Sequence, residues 1–344
     1  MSKNKPKLQI ITEIERAHQQ INALRPFDQE KQNALQEQLR IEWTYNSNAI
    51  EGNALTLGET NFFLREGLTS EGKPLKDYLE AKNHVEAIDT LYQVVKNKRE
   101  ITESFIKELH ALLMKDIKFI MVRGGQGQIV RKEITAGQYK KRPNHVLTIS
   151  GKIHYYADPI KIIDEMEKLL KWLNRNENLN PVVKAAIFHY RFVRIHPFND
   201  GNGRMARLLM NLILMREKYF PCIIQNAHRR EYLESLELAD SKKDENYFIA
   251  FVAQELLITE KHVWDILKNK KTAQLSQKKI LNRLEREKQI LSVLKKSDNP
   301  ISIGQIFEQL PYFKRPTLKS DLQKLVAEKK ITAKGEGKGV LYYL

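Results

Sequence analysis

The chain has 344 residues, enough for two or three domains, and 42% of them are hydrophobic, which excludes general disorder. Its one cysteine, Cys222, excludes an internal disulfide or a multi-cysteine zinc site and is typical of a reducing compartment. Charged residues interrupt every apolar run near the N-terminus, and no stretch approaches the roughly 20 apolar residues of a membrane span. We therefore expect a cytoplasmic protein with no signal peptide and no membrane partner.

The formal net charge of +16 is concentrated near the C-terminal end. Residues 261–344 contain 19 Lys and Arg against 8 Asp and Glu, so this tail carries 11 of the 16 excess charges. Such a tail fits a polyanionic partner, and it also fits a solvated, lysine-rich surface.

The N-terminal third, to about residue 115, is predicted to be helical. The segment Asp28–Ile50 has no proline or glycine, and apolar residues recur every four positions on one face. Gly52 would end this helix. Two further helices are predicted here, at Pro74–Lys96 and Thr102–Met114.

The helical periodicity of apolar residues is lost between residues 121 and 159, where five glycines interrupt it. A strand at His145–Ile149, a turn at Ser150–Lys152 and a return strand at Ile153–Tyr156 predict a β-hairpin. Helices are then predicted at Ile160–Asn174, Pro181–Ile195, Arg204–Lys218, Arg229–Ala239 and Asn246–Lys268, followed by a polar linker to Gln277.

The last 60 residues have the pattern of a winged helix-turn-helix. Three short amphipathic helices are predicted, at Glu285–Ser297, Ser302–Leu310 and Thr317–Ala327. Two strands with a glycine-rich turn, at Lys330–Ala333 and Val340–Leu344, would form the wing.

Residues suited to catalysis and to anion binding are concentrated in the segment HPFNDGNGRMAR, residues 196–207. Gly201, Asn202 and Gly203 directly precede a predicted helix, whose free N–H groups and positive dipole favour an anion. Asn and Gly also tolerate the left-handed backbone of an anion-binding turn. The sequence therefore predicts a phosphate site here.

Four side chains of the same run suit phosphate chemistry. Arg204 and Arg207 lie three residues apart on one helix face and could hold a chain of phosphates. Asp200 offers a hard oxygen ligand for a magnesium ion shared with phosphates. His196 could take a proton from a hydroxyl. Each residue has an ordinary structural explanation by itself, and the combination is what indicates function.

The run resembles the Fic family signature, HPFx(D/E)GNGRxxR, at every fixed position. The resemblance extends over about residues 100–240. It implies that His196 is the general base, that Asp200 holds Mg²⁺, that Gly201, Asn202 and Gly203 form an anion hole, and that Arg204 and Arg207 bind the polyphosphate of ATP. The implied reaction transfers AMP to a Ser, Thr or Tyr hydroxyl of a target protein or of the chain itself. A second copy of the chain, in a homodimer, is a further candidate partner.

The hairpin resembles the flap of this family, which implies that Thr148, Ile149 and Ser150 lie beside the nucleotide and align the target by strand addition. Tyr232 either helps to form an adenine pocket or is a core aromatic residue. Both interpretations stay open.

Glu51 is predicted in the last turn of its helix, where the helix dipole disfavours a carboxylate. The segment from Ser47 to Gly52 resembles the family's inhibitory motif, (S/T)xxxE(G/N). This resemblance implies that Glu51 pairs with Arg207 and blocks the γ-phosphate contact, while Ser47 steadies the helix of Glu51.

The expected fold is mainly α: a Fic/Fido helical bundle with a β-hairpin flap and a small C-terminal winged helix-turn-helix domain. The expected divisions are a helical region at 1–95 with the inhibitory motif at 47–52, a catalytic core at 96–240 with the flap at 137–159, a connector at 241–284 and the winged domain at 285–344. Two alternatives remain open: a nucleotide-sensing regulator that binds DNA, or a protein partner, through the winged domain, and an enzyme that removes AMP from a modified protein.

Overall fold

The computed structural model describes residues 5–123, 128–268, 286–297, 299–310, 315–335 and 340–344. They divide into two compact units, Met1–Leu267 and Lys268–Leu344. None of the helices in the described ranges is both long and apolar enough to cross a membrane. The predicted linker between residues 268 and 277 lies almost wholly outside the described residues.

The first unit is built from ten α-helices in its described part. They are α1 (Lys5–Asn22), α2 (Gln29–Ile50), α3 (Leu57–Glu66), α4 (Leu75–Lys96), α5 (Glu103–Leu113), α6 (Ile162–Arg175), α7 (Pro181–Ile195), α8 (Asn202–Arg216), α9 (Arg229–Lys242) and α10 (Asn246–Lys268). Two hairpins accompany them, β1 (Phe119–Arg123) with β2 (Ile129–Glu133) and β3 (His145–Leu147) with β4 (Ile153–Tyr155), both antiparallel.

Side-chain capping fixes several of these helix starts. Asp28 accepts a hydrogen bond from Lys31 N at the start of α2, and Thr102 does the same for Phe105 N at the start of α5. Thr56 and Glu59 form a reciprocal capping box on α3. Such caps are local in sequence, and the predicted starts of α2 and α5 agree with the observed ones to within one residue, whereas the start of α3 was not predicted.

The core of this unit surrounds the antiparallel pair α7 and α8. Thirteen of the fifteen residues of α8 are buried, so this helix forms the centre of the unit and not one of its faces. Residues of α1, α2 and α10 contribute to the same core, so the N-terminal region and the connector pack with the central helices. The finer division at residues 95 and 240 stays a prediction.

Two sequence predictions for this unit need correction, and one observed hairpin was not predicted. Helix α8 begins at Asn202, two residues before the predicted start, because the Asn202 side chain bonds backbone groups of the preceding loop. The flap strands are shorter than predicted, since the turn takes up residues 148–152. The hairpin β1–β2 has no predicted counterpart: Phe119 and Ile129 are exposed, so the sequence shows no alternation of buried and exposed residues.

The second unit has its own core. Its described part contains a helix over residues 286–295, here α11, then α12 (Ile303–Gln309) and α13 (Arg315–Ala327). A three-stranded antiparallel sheet has the order β5 (Ile301–Ser302), β7 (Leu341–Tyr343), β6 (Thr332–Lys334). Strand β5 is absent from the sequence prediction, because two residues show no periodicity. Part of the predicted wing turn, residues 336–339, lies outside the described residues.

Candidate active site

The site lies where α7 ends and α8 begins. His196 follows α7 with a left-handed backbone, φ 50°, which turns the chain out of the helix. Asn202 Oδ1 accepts from Phe198 N at 2.9 Å, and Asn202 Nδ2 donates to Phe198 O at 2.9 Å. The buried Asn202 side chain thus closes the loop by bonding both main-chain groups of Phe198. Gly201, with φ 76°, occupies the N-cap position of α8, where a Cβ would press on Met114 Sδ.

The first turn of α8 therefore presents backbone N–H groups that have no helical partner. Its N-terminal turn contains no acidic residue that could interact with the dipole. Instead, the carboxylate of Glu51 lies against this turn: a Cβ on Gly203 would overlap Glu51 Oε1. The side chain of Glu51 thus lies where an external anion would bind.

Arg207 is 2% exposed, and its guanidinium group is hydrogen-bonded to the end of α2. Its Nη2 donates to Glu51 Oε1 at 2.7 Å and to the Ser47 carbonyl at 2.8 Å, and its Nε donates to Ser47 Oγ at 2.9 Å. Ser47 therefore binds the arginine directly, a contact that the sequence comparison did not imply. Within the described part of the chain, the buried Nη1 of Arg207 has no hydrogen-bond partner, and it faces Gly203.

The end of α2 is also hydrogen-bonded to the first residue of α9 and to the segment just before it. Asn226 N donates to Asn46 Oδ1 at 2.8 Å, and Arg229 Nε donates to the Ile50 carbonyl at 2.7 Å. The second bond supplies a donor for one of the last carbonyl groups of α2. These bonds fix the position from which Glu51 reaches α8.

Arg204 contacts a different set of groups. Its Nη1 lies 3.1 Å from Glu80 Oε1 on α4, and its Nη2 lies 3.4 Å from Asp200 Oδ2. Both Arg204 and Glu80 are nearly inaccessible, so this is a buried ion pair. Glu80 also accepts from Asn53 Nδ2 at 3.0 Å, which links the residue pair to the segment after Glu51. Sequence reasoning assigned Arg204 to phosphates and gave no sign of Glu80.

His196 has one protonated and one free ring nitrogen. Its Nδ1 lies 3.3 Å from the Val193 carbonyl, which can only accept, so Nδ1 carries the proton and Nε2 is available as a base. The ring of Tyr156, just after β4, stacks on the imidazole with centroids 3.7 Å apart. Burial, together with the charge of Lys140, lowers the pKa of His196 to about 3, so the imidazole is neutral at physiological pH.

A second histidine, His110 on α5, supports the loop and was missed by sequence reasoning. Its ring stacks on Phe198 at 3.7 Å. Gly137 N donates to its Nδ1 at 2.8 Å, so Nε2 carries the proton and donates to the Asp200 carbonyl at 3.1 Å. Burial lowers its pKa to about 4. His110 therefore joins the base of the flap to the loop, and a lone histidine on a helix gives no sequence signal for this.

The flap tip is bound to α9 through Glu237. Thr148 Oγ1 donates to Glu237 Oε1 at 3.2 Å, Ser150 N donates to Oε2 at 3.3 Å, and Ser150 Oγ also donates to this carboxylate. Ile149, between them, is 46% exposed. These hydrogen bonds lower the pKa of Glu237. Asp240, one turn further on α9, lies 3.4 Å from His154 of β4, so α9 contacts the flap at two points.

Tyr232 is 3% exposed and belongs to an aromatic cluster with Phe248 and Phe251. Its hydroxyl is 3.0 Å from His189 Nε2. This surrounding is that of a core aromatic residue, and the adenine-pocket role stays a prediction.

The described residues contain no group of three His, Cys, Asp or Glu placed to hold a metal ion. Asp200 offers a carboxylate just before the start of α8, and its side chain is 29% exposed. One carboxylate with nucleotide phosphates is a common arrangement for Mg²⁺, so the residues present fit such an ion.

Comparisons with known proteins agree with this geometry. The sequence model of the Fic/DOC family matches residues 100–214. A Fic-domain-containing signaling protein from Bacteroides thetaiotaomicron, of known structure, is 33% identical, with a TM-score of 0.66, over 74% of this chain and 97% of that one. A Fic family protein from Desulfovibrio desulfuricans matches 98% of this chain and 95% of its own at 24% identity and TM-score 0.60, which supports the fold alone.

Curated relatives are named for an activity. The chain is 31% identical to the protein adenylyltransferase fic-1 of Caenorhabditis elegans, over 62% of this chain and 39% of that protein. It is 34% identical to the protein adenylyltransferase Fic of Drosophila erecta, over 61% of this chain and 39% of that protein. The chain thus spans about two fifths of the length of these relatives.

We predict that His196 takes up no proton between pH 5 and pH 8. Because its pKa is lowered to about 3, falling pH leaves the neutral form in place over this range. Imidazole NMR spectra measure this directly. His262 is the internal control, since its hydrogen bond to Glu42 raises its pKa above 6.5 and it should titrate in the same spectra. Protonation of His196 near pH 6.5 would contradict the prediction.

Proposed function

Since the chain belongs to the Fic/DOC family, we propose that it is a protein adenylyltransferase that transfers AMP from ATP to a target hydroxyl and is restrained by Glu51. The proposal rests on the close placement of a base and an anion site. The free Nε2 of His196 and the glycine-lined start of α8 belong to the same short loop, beside the unpartnered Nη1 of Arg207. The activity named for the curated relatives supports the same reading.

The proposed reaction needs an anion site and a base. The N–H groups at the start of α8 and the Nη1 of Arg207 would bind the phosphates of ATP. His196 Nε2 would take the proton of the target hydroxyl as its oxygen attacks the α-phosphorus, and the bond to pyrophosphate would break. Asp200 would hold Mg²⁺, which supplies charge neutralisation on the phosphates when bound. Positioning and electrostatics supply most of the rate in such transfers.

Target alignment is assigned to the flap. Strands β3 and β4 pair only with each other in the described residues, so the hairpin has backbone groups free to pair with an added strand. Strand addition reads the backbone, so it would suit a hydroxyl in an extended segment. A Ser, Thr or Tyr hydroxyl, including one of this chain itself, fits this requirement.

Inhibition is assigned to Glu51 because its carboxylate lies at the anion site itself. It interacts with Arg207 at 2.7 Å and lies against Gly203, so a γ-phosphate and Glu51 would compete for the same donors. A charge-assisted hydrogen bond contributes roughly 1.5–3 kcal/mol, enough to change a rate by about ten- to a hundredfold. Removing the carboxylate should release this contact for the nucleotide.

We predict that Glu51→Gly raises AMP transfer by about tenfold or more, because Arg207 becomes available to ATP. The measurement is transfer of α-labelled AMP in lysate and to the protein itself. Glu66→Gly is the matched control, since Glu66 is an exposed glutamate that also lies at a helix C-terminal end, on α3. Equal, low transfer by wild type, Glu51→Gly and Glu66→Gly would refute the inhibitory assignment.

We predict that His196→Ala, made in the Glu51→Gly protein, lowers transfer by about 100- to 10,000-fold while ATP affinity stays within a few fold. The imidazole accepts the proton and does not contact the predicted phosphate donors, so the rate and the affinity should separate. Labelled transfer and calorimetric binding of Mg-ATP measure the two. Transfer of a γ-label in place of an α-label would instead indicate a kinase.

A second function, binding of duplex DNA by the C-terminal unit, is favoured by the surface of α13. Lys319 and Lys324 are exposed on this helix, and Asp321 is turned inward. Asp321 Oδ2 lies 2.7 Å from Arg286 Nε, so the acidic side chain of α13 is paired within the unit. The exposed side of α13 therefore presents Lys319 and Lys324. A protein partner for this unit is the alternative outcome, and the excess of positive charge favours a polyanion.

We predict that Lys319→Glu with Lys324→Glu weakens binding of duplex DNA by about tenfold or more and reduces the slope of log affinity against log salt by about 2. Fluorescence anisotropy over a salt series measures both. Lys96→Glu with Lys98→Glu is the matched control, with the same change in net charge on exposed residues of the first unit. Identical behaviour of the two double variants would exclude this surface as the DNA site.

A further inference from the structure

The guanidinium group of Arg204 is shared unequally between two carboxylates. Its Nη1 lies 3.1 Å from Glu80 Oε1, and its Nη2 lies 3.4 Å from Asp200 Oδ2. The side chains of Arg204 and Glu80 are 3% and 7% exposed, whereas that of Asp200 is 29% exposed. The closer and more deeply buried contact is therefore with Glu80, which lies on α4, far outside the motif at residues 196–207.

The carboxylate of Glu80 is itself held in place. Its Oε2 accepts a hydrogen bond from Asn53 Nδ2 at 3.0 Å, and the same Nδ2 donates to the Asp77 carbonyl at 3.0 Å. Lys76 Nζ lies 3.4 Å from Glu80 Oε1, but this lysine is 48% exposed, and exposed ion pairs contribute little. Of the two cations that contact Glu80 in the described part of the chain, only Arg204 is buried.

This pairing restricts how Arg204 can move. Its Nε and Nη1 make no hydrogen bond to the described residues, so the charge of Glu80 is what holds this side of the guanidinium group. Turning Arg204 towards a nucleotide would leave Glu80 buried and unpaired, which is strongly destabilising. Arg207 differs, because its partner Glu51 is 39% exposed and its Nη1 faces Gly203.

The same pairing affects the carboxylate of Asp200. Its Oδ2 accepts one long hydrogen bond from Arg204 Nη2, and its Oδ1 accepts none from the residues that the structure describes. If Glu80 were neutral, Asp200 would be the nearest acidic partner left for Arg204. A guanidinium group can bind both oxygens of a carboxylate, and Asp200 would then have no oxygen left for a metal ion. Carboxylates that bind metals depend on neighbours that orient them.

We propose that Glu80 is a positioning residue that holds Arg204 away from the nucleotide phosphates and leaves the carboxylate of Asp200 open to a metal ion. The inference rests on the proposed function, in which Asp200 holds Mg²⁺. It gives Arg204 a different task from the phosphate binding that the family resemblance implies. Because Glu80 acts through Arg204 and Asp200, its effect should be seen in what Mg²⁺ adds to the binding of ATP.

The first test measures this contribution of Mg²⁺. The parent protein carries Glu51→Gly and His196→Ala, so it can bind ATP but lacks the proposed base. Calorimetry gives the affinity for ATP with EDTA and with saturating Mg²⁺, and the ratio of the two isolates the metal ion. For Glu80→Gln we expect this ratio to fall by about tenfold or more. Glu86→Gln, also on α4, is the matched control and should keep the parent ratio, since its ion-pair partner is the exposed Lys82 at 3.8 Å.

The second test needs no nucleotide. Unfolding in urea is followed by tryptophan fluorescence, since all three tryptophans of the chain lie in the first unit. Glu80→Gln, Asp200→Asn and the double variant are compared with wild type. Because Arg204 should turn to Asp200 when Glu80 is neutral, Asp200→Asn should raise the equilibrium constant for unfolding about fivefold more in the Glu80→Gln protein than in wild type.

The possible results separate the alternatives. An unchanged affinity ratio, or no coupling between Glu80 and Asp200, would overturn the proposal and leave Glu80 with a structural role alone. Equal gains in ATP affinity with and without Mg²⁺ would also overturn it, because Arg204 would then be a phosphate donor that Glu80 withholds.

Two further cases are covered by the same design. If the parent protein binds no ATP, the proposed function fails, and the unfolding comparison still decides whether Glu80 keeps Arg204 from Asp200. If Glu80→Gln does not fold, Glu80→Asp takes its place, since the shorter side chain withdraws the carboxylate from Arg204. The same fall in the ratio and the same coupling to Asp200 are then required.

Discussion

Backbone N–H groups at the start of α8 lack helical partners, and the surrounding structure is arranged around what accepts from them. The glycines allow an acceptor to approach closely, and Asn202 fixes the loop that exposes the groups. In the structure the carboxylate of Glu51 lies there, together with Arg207. Helix α2 supplies an acceptor for these groups, because its C-cap residue Glu51 brings a carboxylate to the start of α8. Glu51 and its partner Arg207 are 156 positions apart in the sequence.

The site has two layers with different tasks. The upper layer, with His196, the start of α8 and the flap, faces the proposed substrates. The lower layer consists of polar contacts that hold the upper one: the buried His110 under the loop, the buried Glu80 against Arg204, and the partly exposed Glu237 at the flap tip. Each lower contact joins two elements far apart in the chain. Such a layer restricts the loop and the flap to a narrow set of positions, as sites of group transfer require.

The sequence could predict what is local. Helices α2 and α7 follow from periodicity and capping, and the motif residues 196–207 indicate an anion site from their spacing alone. The contacts of Arg204 with Glu80 and of His110 with Asp200 could not be predicted, because each joins residues dozens of positions apart and carries no local signal. The early start of α8 was missed for a related reason: it depends on the side chain of Asn202 bonding to the loop behind it.

Gly203 serves two purposes that cannot be separated. Its missing side chain admits the carboxylate of Glu51 to the helix start, and in the proposed function the same gap would admit a phosphate. A larger residue here would displace Glu51 and, in the proposed function, would also exclude the phosphate, so a substitution at this position would not separate the two effects. Displacing Glu51 alone would instead require a change on the α2 side, where the Asn46 side chain and the Ile50 carbonyl are bonded to Asn226 and Arg229.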